Sequence, residues 1–599
     1  MLTPANISDV LNAILHRQGS AQSDSDLFAT IGSFTQTAAE IAAGVTPVNY
    51  AYAPGDVRRY GATGNGTTDD STALVNAAKV SGTHPMLIPW TSGGYKVSTP
   101  FTLPANATMI GYGESRPNLF ATTNGVEICS ALSVAGEITI RNILFTGTNA
   151  NTTPVNNPTG LGVTATALLN ITSCSDVRVE NCEFSTFYSG VCTALCTRVW
   201  ISRCKVASFL YTGILVPQTT SFDIDQNDIS NCTQAGAAVA YGIQCTGNQA
   251  GGFPSQYNSI TNNRINGIPS WDAIGTHDID GLRVIGNDCR NVRHGIDIGH
   301  LTTSNIVKNI VVANNYVEGT GTDTYGGAAQ EIGGILIAGA DATHRVLGVT
   351  VTGNVIRGFF NVVGMVGAGN GAGCICIANA DDANVTGNVI TGGGTGGTPQ
   401  STGIFVTGTV NRLTINGNSI QGQSYPRGGI RLQNVSGDTV SITGNSGVQS
   451  STGNNHILIS GSTITALTEN NNPSNSIVPV SIVTSTYTMS GREASRVRVT
   501  VPYSAAMVFE ASLGNEFEVT ATNGTAFSIS NPTDPVDGQR ITLRIINTSG
   551  GALGAVTFGT QYKMSTWTQP ATGFNRSVDL EYNGTNWYQI SQTGVDIPN

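Results

Sequence analysis

The chain has 599 residues with a net charge of −10; 11% are charged, 7% are aromatic and 73 are glycine. An average soluble protein is about 25% charged and about 7% glycine, so the polar character here is mostly uncharged Thr, Ser and Asn, which suits turns and strands rather than helical bundles. The aromatic content and modest net charge exclude a disordered chain, and 28 basic against 38 acidic residues exclude a nucleic-acid partner.

No run of 18 apolar residues is present, so membrane insertion is not expected. Met1-Leu2-Thr3-Pro4-Ala5-Asn6 shows no basic stretch leading into an apolar one, so a signal peptide is not expected either. Residues 1–48 read as a small helical head. Ile7, Val10, Leu11 and Ile14 form one apolar stripe. Leu27, Ile31, Phe34, Ala38, Ile41 and Val45 then alternate four and three apart, a seam for a short coiled coil or for packing within one chain. Gly44 to Pro54 reads as a linker.

The segment Asp56-Val57-Arg58-Arg59-Tyr60-Gly61-Ala62-Thr63-Gly64-Asn65-Gly66-Thr67-Thr68-Asp69-Asp70 runs from a Gly-rich turn into a helix over 71–80, which Asp69 and Asp70 are placed to cap. Its glycine spacing is wrong for a dinucleotide loop. We expect it to cap the end of a β-structure, within a cap region of residues 49–115.

From about 138 to 447 the chain repeats, and repeats decide architecture. The unit is apolar-x-x-(Asn or Cys)-x-apolar, as in Val179-Cys182-Phe184, Ile224-Asn227-Ile229, Val312-Asn315-Val317 and Ile415-Asn418-Ile420. Central residues recur every 22 to 39 positions, and most units are followed by Gly-apolar-x-apolar, as in Gly242-Ile243-Gln244-Cys245 and Gly295-Ile296-Asp297-Ile298. Period-2 alternation points the two flanking apolar residues inward and the middle one outward. One Asn per coil would form an internal amide ladder. The fold class expected is mainly β: a parallel β-helix over residues 116–475, with about eleven coils and a length of about 50 Å. Longer steps at about 230–241, 246–258, 318–333, 357–372 and 391–402 must be loops off the rod, placed to wall a groove. Beyond a linker at 476–495, alternating strands and an Asn583-Gly584 hairpin make residues 496–599 a C-terminal β-sandwich. The 11 cysteines lie between Cys129 and Cys376 without metal-finger spacing, so buried thiols are expected and no metal or cofactor.

The segment Asp56–Leu74, with its Gly-Ala-x-Gly-x-Gly-x-x-Asp-Asp core, resembles the opening signature of the pectate-lyase-like β-helix superfamily, which also opens many bacteriophage tailspikes. The stretch from Thr548-Ser549-Gly550-Gly551 to Asn583-Gly584-Thr585-Asn586-Trp587 resembles the C-terminal sandwich of phage receptor-binding proteins. The resemblance implies a right-handed β-helix and a homotrimeric virion protein, assembled in a host cytoplasm and joined to the phage tail through its head. It further implies binding, and usually cleavage, of a bacterial surface polysaccharide (O-antigen or capsule) at the outer face of the host cell. Calcium-binding carboxylates of pectate lyases find no residue-by-residue match.

Polar residues concentrate between Trp271 and His300, which hold His277, His294, His300, Asp272, Asp278, Asp280, Asp288, Asp297, Arg283, Arg290 and Arg293. If Ala273-Ile274-Gly275 stacks under Gly295-Ile296-Asp297, then Asp272 shares an outward column with His294, and Asp297 sits beside Gly275. Carboxylates on neighbouring coils would stand about 5–10 Å apart, a glycosidase geometry. Similar tailspikes carry Trp-Asp-x-Ile-Asp-Thr-His. Here Trp271-Asp272-Ala273-Ile274-Gly275-Thr276-His277 matches it, with Gly275 in place of the second Asp. We expect glycoside hydrolysis by Asp272 and Asp297, with Glu331 as the reserve acid. His277, Arg293, His294, His300 and Arg290 would hold the sugar, and Trp271 would stack on it. The alternatives are β-elimination with His277 or a tyrosine as base and a cation such as Arg293, or a non-catalytic glycan adhesin. Asp223 and Asp225, near Asp228, mark a second outward acidic position on another face.

Overall fold

The computed structural model describes residues 34–123, 127–148, 167–234, 239–247, 257–300, 306–320, 333–359, 373–391, 402–422, 429–449, 456–470, 472, 480–483, 485–489, 498–535 and 537–599. The chain forms two compact units. One comprises Met1–Ser441, Asn445–Thr465 and Pro473–Thr486, the other Ile442–Gly444, Ala466–Asn472 and Tyr487–Asn599.

In the first unit each coil contributes a strand to each of three parallel faces. The first face stacks Ala167–Thr172, the ends of Glu183–Ala194 and Lys205–Pro217, Tyr241–Thr246, and the ends of Arg264–His277 and Asp288–Gly299, followed by Gly333–Ala338. The second stacks Asp176–Glu180, Arg198–Ser202, Ser221–Asp225, Asn258–Thr261, Asp280–Ile285 and Lys308–Ala313. The third is built from the beginnings of the long strands together with Asp228–Cys232 and Tyr316–Gly319. This is a parallel β-helix. Its bore holds the inward apolar residues of the repeat, among them Val179, Ile201, Ile224, Ile260, Val284 and Val312, all 0% exposed.

The amide ladder is present. From Asn227 through Asn263, Asn287, Asn315, Asn354, Asn388 and Asn418 to Asn445, each Nδ2 donates at 2.8–2.9 Å to Oδ1 of the next coil's asparagine. The same Oδ1 also accepts the backbone N–H of the coil before. The second Nδ2 proton goes to a carbonyl of the preceding coil. Full satisfaction is what allows an amide in an apolar bore. Asn315→Ala would strip the Asn287 amide N–H and Nδ2 of their shared acceptor and is expected to cost about 2–6 kcal/mol, at about 1–3 kcal/mol for each buried group left unpaired. Denaturant unfolding checks this; an unchanged midpoint would contradict it.

The N-terminal end departs from expectation in two places. Leu27 and Ile31 of the apolar seam lie outside the described residues, and the helix over the rest is only Ala38–Ala42, with Ile41 64% exposed and Glu40 buried. The seam does not continue as one helix to Val45, because the capping box of Thr37 and Glu40 starts the helix late and Glu40 turns inward to meet Arg59. The second departure concerns Asp70, which stands at the N-cap of Ser71–Lys79 without capping it. Its carboxylate instead accepts the amides of Thr63 (2.7 Å) and Gly64 (3.2 Å), closing the glycine loop. Gly64 has φ +60°, and a Cβ there would meet Thr91 at 2.8 Å. Asp69 takes the Ser71 amide and hydroxyl, which lower its pKa.

The loops expected off the rod fall largely outside the described residues. All eleven cysteines are free and buried. Among the described residues no helix is long and apolar enough to cross a membrane.

In the second unit a seven-stranded and a three-stranded sheet enclose one core, containing Met507, Phe517, Phe527, Ile529, Leu543 and Trp587. Much of the pairing in these two sheets is parallel. Arg498–Val501, Glu516–Ala521 and Arg540–Asn547 run parallel in the first sheet, as do Ala506–Met507, Phe527–Ile529 and Val556–Phe558 in the second. The chain crosses to the other sheet after each strand, so neighbours within a sheet point the same way. Antiparallel pairing begins only at Phe574–Tyr582, which the Asn583-Gly584 turn joins to Trp587–Gln592.

Candidate functional site

The strand Arg264–His277 carries a register shift between Ile268 and Asp272, where the chain turns from the third face to the first. Such irregularities re-aim side chains. Beyond it the expected register holds: Asp272 pairs with His294, Ile274 with Ile296, Gly275 with Asp297 and His277 with Gly299, and Asp297 pairs onward with Leu336.

Asp272 is 0% exposed and His294 3%, and Asp272 Oδ1 lies 2.7 Å from His294 Nδ1. The expectation of open, outward side chains is therefore corrected for both. The other oxygen, Oδ2, sits 2.9 Å from where a Gly275 Cβ would stand, with the Tyr241 ring 3.1 Å away. Gly275 is thus the seat of the Asp272 carboxylate, and a side chain there would have to displace it. Because Asp297 is the next-coil partner of Gly275, the two carboxyl groups occupy neighbouring coils, about 4.8 Å apart along the axis. Asp297 itself is half-buried.

Among the described residues, several buried polar atoms around this corner have no hydrogen-bond partner: Asp272 Oδ2, His277 Nδ1 and both ring nitrogens of His300. Each costs about 1–3 kcal/mol, and a concentration of such costs is what a ligand-ready site displays. Asp278 Oδ1 lies 3.9 Å from His300 Nδ1, with both side chains almost fully buried. Burial pushes the His277 imidazole below its usual pKa; Asp272 and Asp278 oppose this, and His300 adds to it. His277 is accordingly neutral at pH 7.

Trp271 is half-buried and packs against the His294 ring at 5.0 Å. Arg293 was expected to reach sugar, yet it is 1% exposed, with its guanidinium 5.0 Å from the Trp271 ring centre and donating to the Ser270 carbonyl at 3.3 Å. The ring face and the carbonyl offset its burial. Arg290 is not at the site. It precedes the corner, pairs with Asn266 on the third face, binds Asp288 at 2.7 Å and lies over Tyr316. Glu331 lies outside the described residues. Asp223 and Asp225 do face outward on the second face, where Ser259, Thr261 and Asn262 donate to them. Among the described residues no group of three or more His, Cys, Asp or Glu is placed to hold a metal ion.

Sequence reasoning missed Gln244 and Tyr241. Gln244 is the middle residue of Gly242-Ile243-Gln244-Cys245, and it is 7% exposed. The outward column of the first face reads Cys192, Leu215, Gln244, Gly275, Asp297, Leu336, Cys376, Phe405. Between Leu215 and Leu336 it carries Gln244, Gly275 and Asp297; polar residues return at Asn170 on one side and Arg431 on the other.

Residues 56–297 match the family model for rhamnogalacturonase A/epimerase, pectate lyase-like. That segment, less than half of the chain, is similar to pectate-lyase-like domains. Asp272 and Asp297 lie in its last two coils. No curated protein matches the sequence. Among solved structures, the chain is similar to the A-module of a mannuronan C-5 epimerase from Azotobacter vinelandii, at 16% identity over 73% of this chain and 100% of that one, with a TM-score of 0.34. It is also similar to tailspike protein 3 of bacteriophage CBA120, at 12% identity over 90% and 69%, TM-score 0.38. A third is the catalytic unit of an alpha-1,3-glucanase from Streptomyces thermodiastaticus, at 14% identity over 73% and 69%, TM-score 0.39.

Proposed function

We propose that the protein is a phage tailspike that binds and depolymerises a bacterial surface polysaccharide by endo-glycosidic hydrolysis. The observation that carries the chemistry is the seating of the Asp272 carboxylate over Gly275, one coil from Asp297. Two carboxyl groups on one face can divide the work. One protonates the glycosidic oxygen, and the other activates water or attacks the anomeric carbon. Trp271 offers a ring face at the same corner, and His294 orients Asp272. The similarity to pectate-lyase-like domains supports a polysaccharide substrate. The order of head, cap, β-helix and C-terminal unit supports a homotrimeric virion protein attached to the phage tail through its N-terminal head.

A second reading, β-elimination on a uronic-acid polymer, is favoured by the buried His277, whose burial favours the neutral form a base needs, and by the cation of Arg293 next to Asp272's strand partner His294. Product analysis separates them. The purified protein is incubated with capsular and O-antigen polysaccharides while reducing ends and the ultraviolet absorbance of an unsaturated uronate are followed. Reducing ends alone support hydrolysis, and both signals together support the lyase. Saturable binding with neither signal makes the protein an adhesin.

A further inference from the structure

We propose that Gln244 is a sugar-binding residue of this site, on the side of Asp272 away from Asp297, and that it selects an uncharged sugar unit there. The inference rests on the glycan reading above and adds a residue and a specificity to it. Gln244 is the in-register partner of Gly275, over which the Asp272 carboxylate lies. Gln244, Gly275 with the buried Asp272 carboxylate over it, and Asp297 therefore follow one another on three successive coils, at about 4.8 Å per coil, with Gln244 7% exposed. Leu215 and Leu336 bound them on either side.

The amide is held. The Tyr211 hydroxyl donates to Gln244 Oε1 at 3.4 Å within the fold. Tyr211 is itself fixed between Tyr188, stacked at 5.3 Å, and Tyr241, edge-on at 5.8 Å. With Oε1 engaged by Tyr211, Nε2 is the polar end that can meet a ligand, and it is purely a donor. It suits a hydroxyl or ring oxygen. A uronate in that position would lie within one coil of the Asp272 carboxylate, and Gln244 brings no counter-charge. An uncharged unit avoids that repulsion.

Gln244→Leu is the test, since leucine already occupies the same column in the neighbouring coil. The substrate is the polysaccharide that the product screen shows to be cleaved, and the binding probe is its purified limit-digest oligosaccharide. Gln244→Leu should raise KM about tenfold with kcat within twofold, the loss expected of one ligand hydrogen bond. In an Asp272→Asn background it should weaken oligosaccharide binding by the same factor. Tyr211→Phe, which frees the amide without removing it, should raise KM about threefold. Unchanged KM and binding in Gln244→Leu would overturn the proposal, as would a fall in kcat at constant KM, or a bound fragment carrying a uronate next to the cleaved bond on that side. If the wild-type protein neither binds nor cleaves any glycan, the glycan reading itself has failed. If it cleaves and Gln244→Leu behaves as wild type, this inference alone has failed.

Discussion

Asp272→Asn is expected to lower turnover of the cognate glycan by about 100- to 10,000-fold, the range for removing a positioned acid or base. The amide keeps the size of the carboxylate and can still accept from His294 Nδ1, so the thermal midpoint should hardly move. Asp297→Asn should behave alike under the proposed function, because the next-coil pairing of Gly275 with Asp297 puts both carboxyl groups on neighbouring coils. Gly275→Ala tests the geometry without touching either acid. Its Cβ would fall 2.9 Å from Asp272 Oδ2, and displacing the carboxylate should cost about 100-fold in kcat. Retained turnover in both Asp variants would remove them from the chemistry.

Glu40→Gln is expected to destabilise the N-terminal end of the β-helix by about 3–5 kcal/mol, the cost of leaving one buried charge unpaired. Arg59 and Glu40 are both 0% exposed, with Arg59 Nε 2.6 Å from Glu40 Oε1. Arg59 also donates to the carbonyls of Phe34, Thr35 and Tyr52, so this one guanidinium ties the segment around the short helix to the cap. Burial alone would raise the Glu40 pKa; hydrogen bonds from Arg59, the Thr37 amide and Tyr60 outweigh it and hold the pKa at about 2. The folded value lies below the unfolded one of 4.5, so the contribution is fully present above about pH 4.5 and is lost as the pH falls through about 2. Limited proteolysis near residues 49–62, compared at neutral and acidic pH, reads it out. A Glu40→Gln protein as resistant as wild type at pH 7 would show that the pair adds nothing. Pairing the change with Arg59→Met should restore part of the loss.

The sequence by itself determined the architecture. In a parallel β-helix every coil repeats the same environment, so the spacing of inward apolar residues and one central amide specifies strand, turn and register at once. That is why Asn227 through Asn445 were legible as a ladder, and why Gly275 could be placed beside Asp297. It also marked Trp271 to His300 as the candidate site, since charged residues are scarce enough for a cluster to stand out. Tertiary structure alone decided which of those side chains come together there. Arg290 and Arg293 are three residues apart, yet the turn between them puts one on the third face and buries the other against Trp271. Spacing could not show this, because an irregular pairing near a corner changes the facing of every residue after it. Nor could it show that the Asp272 carboxylate folds over Gly275, or that His294 accompanies it in a buried pair. Those depend on which neighbouring coil supplies a ring, a carbonyl or an empty position, and such contacts form only once the coils are stacked.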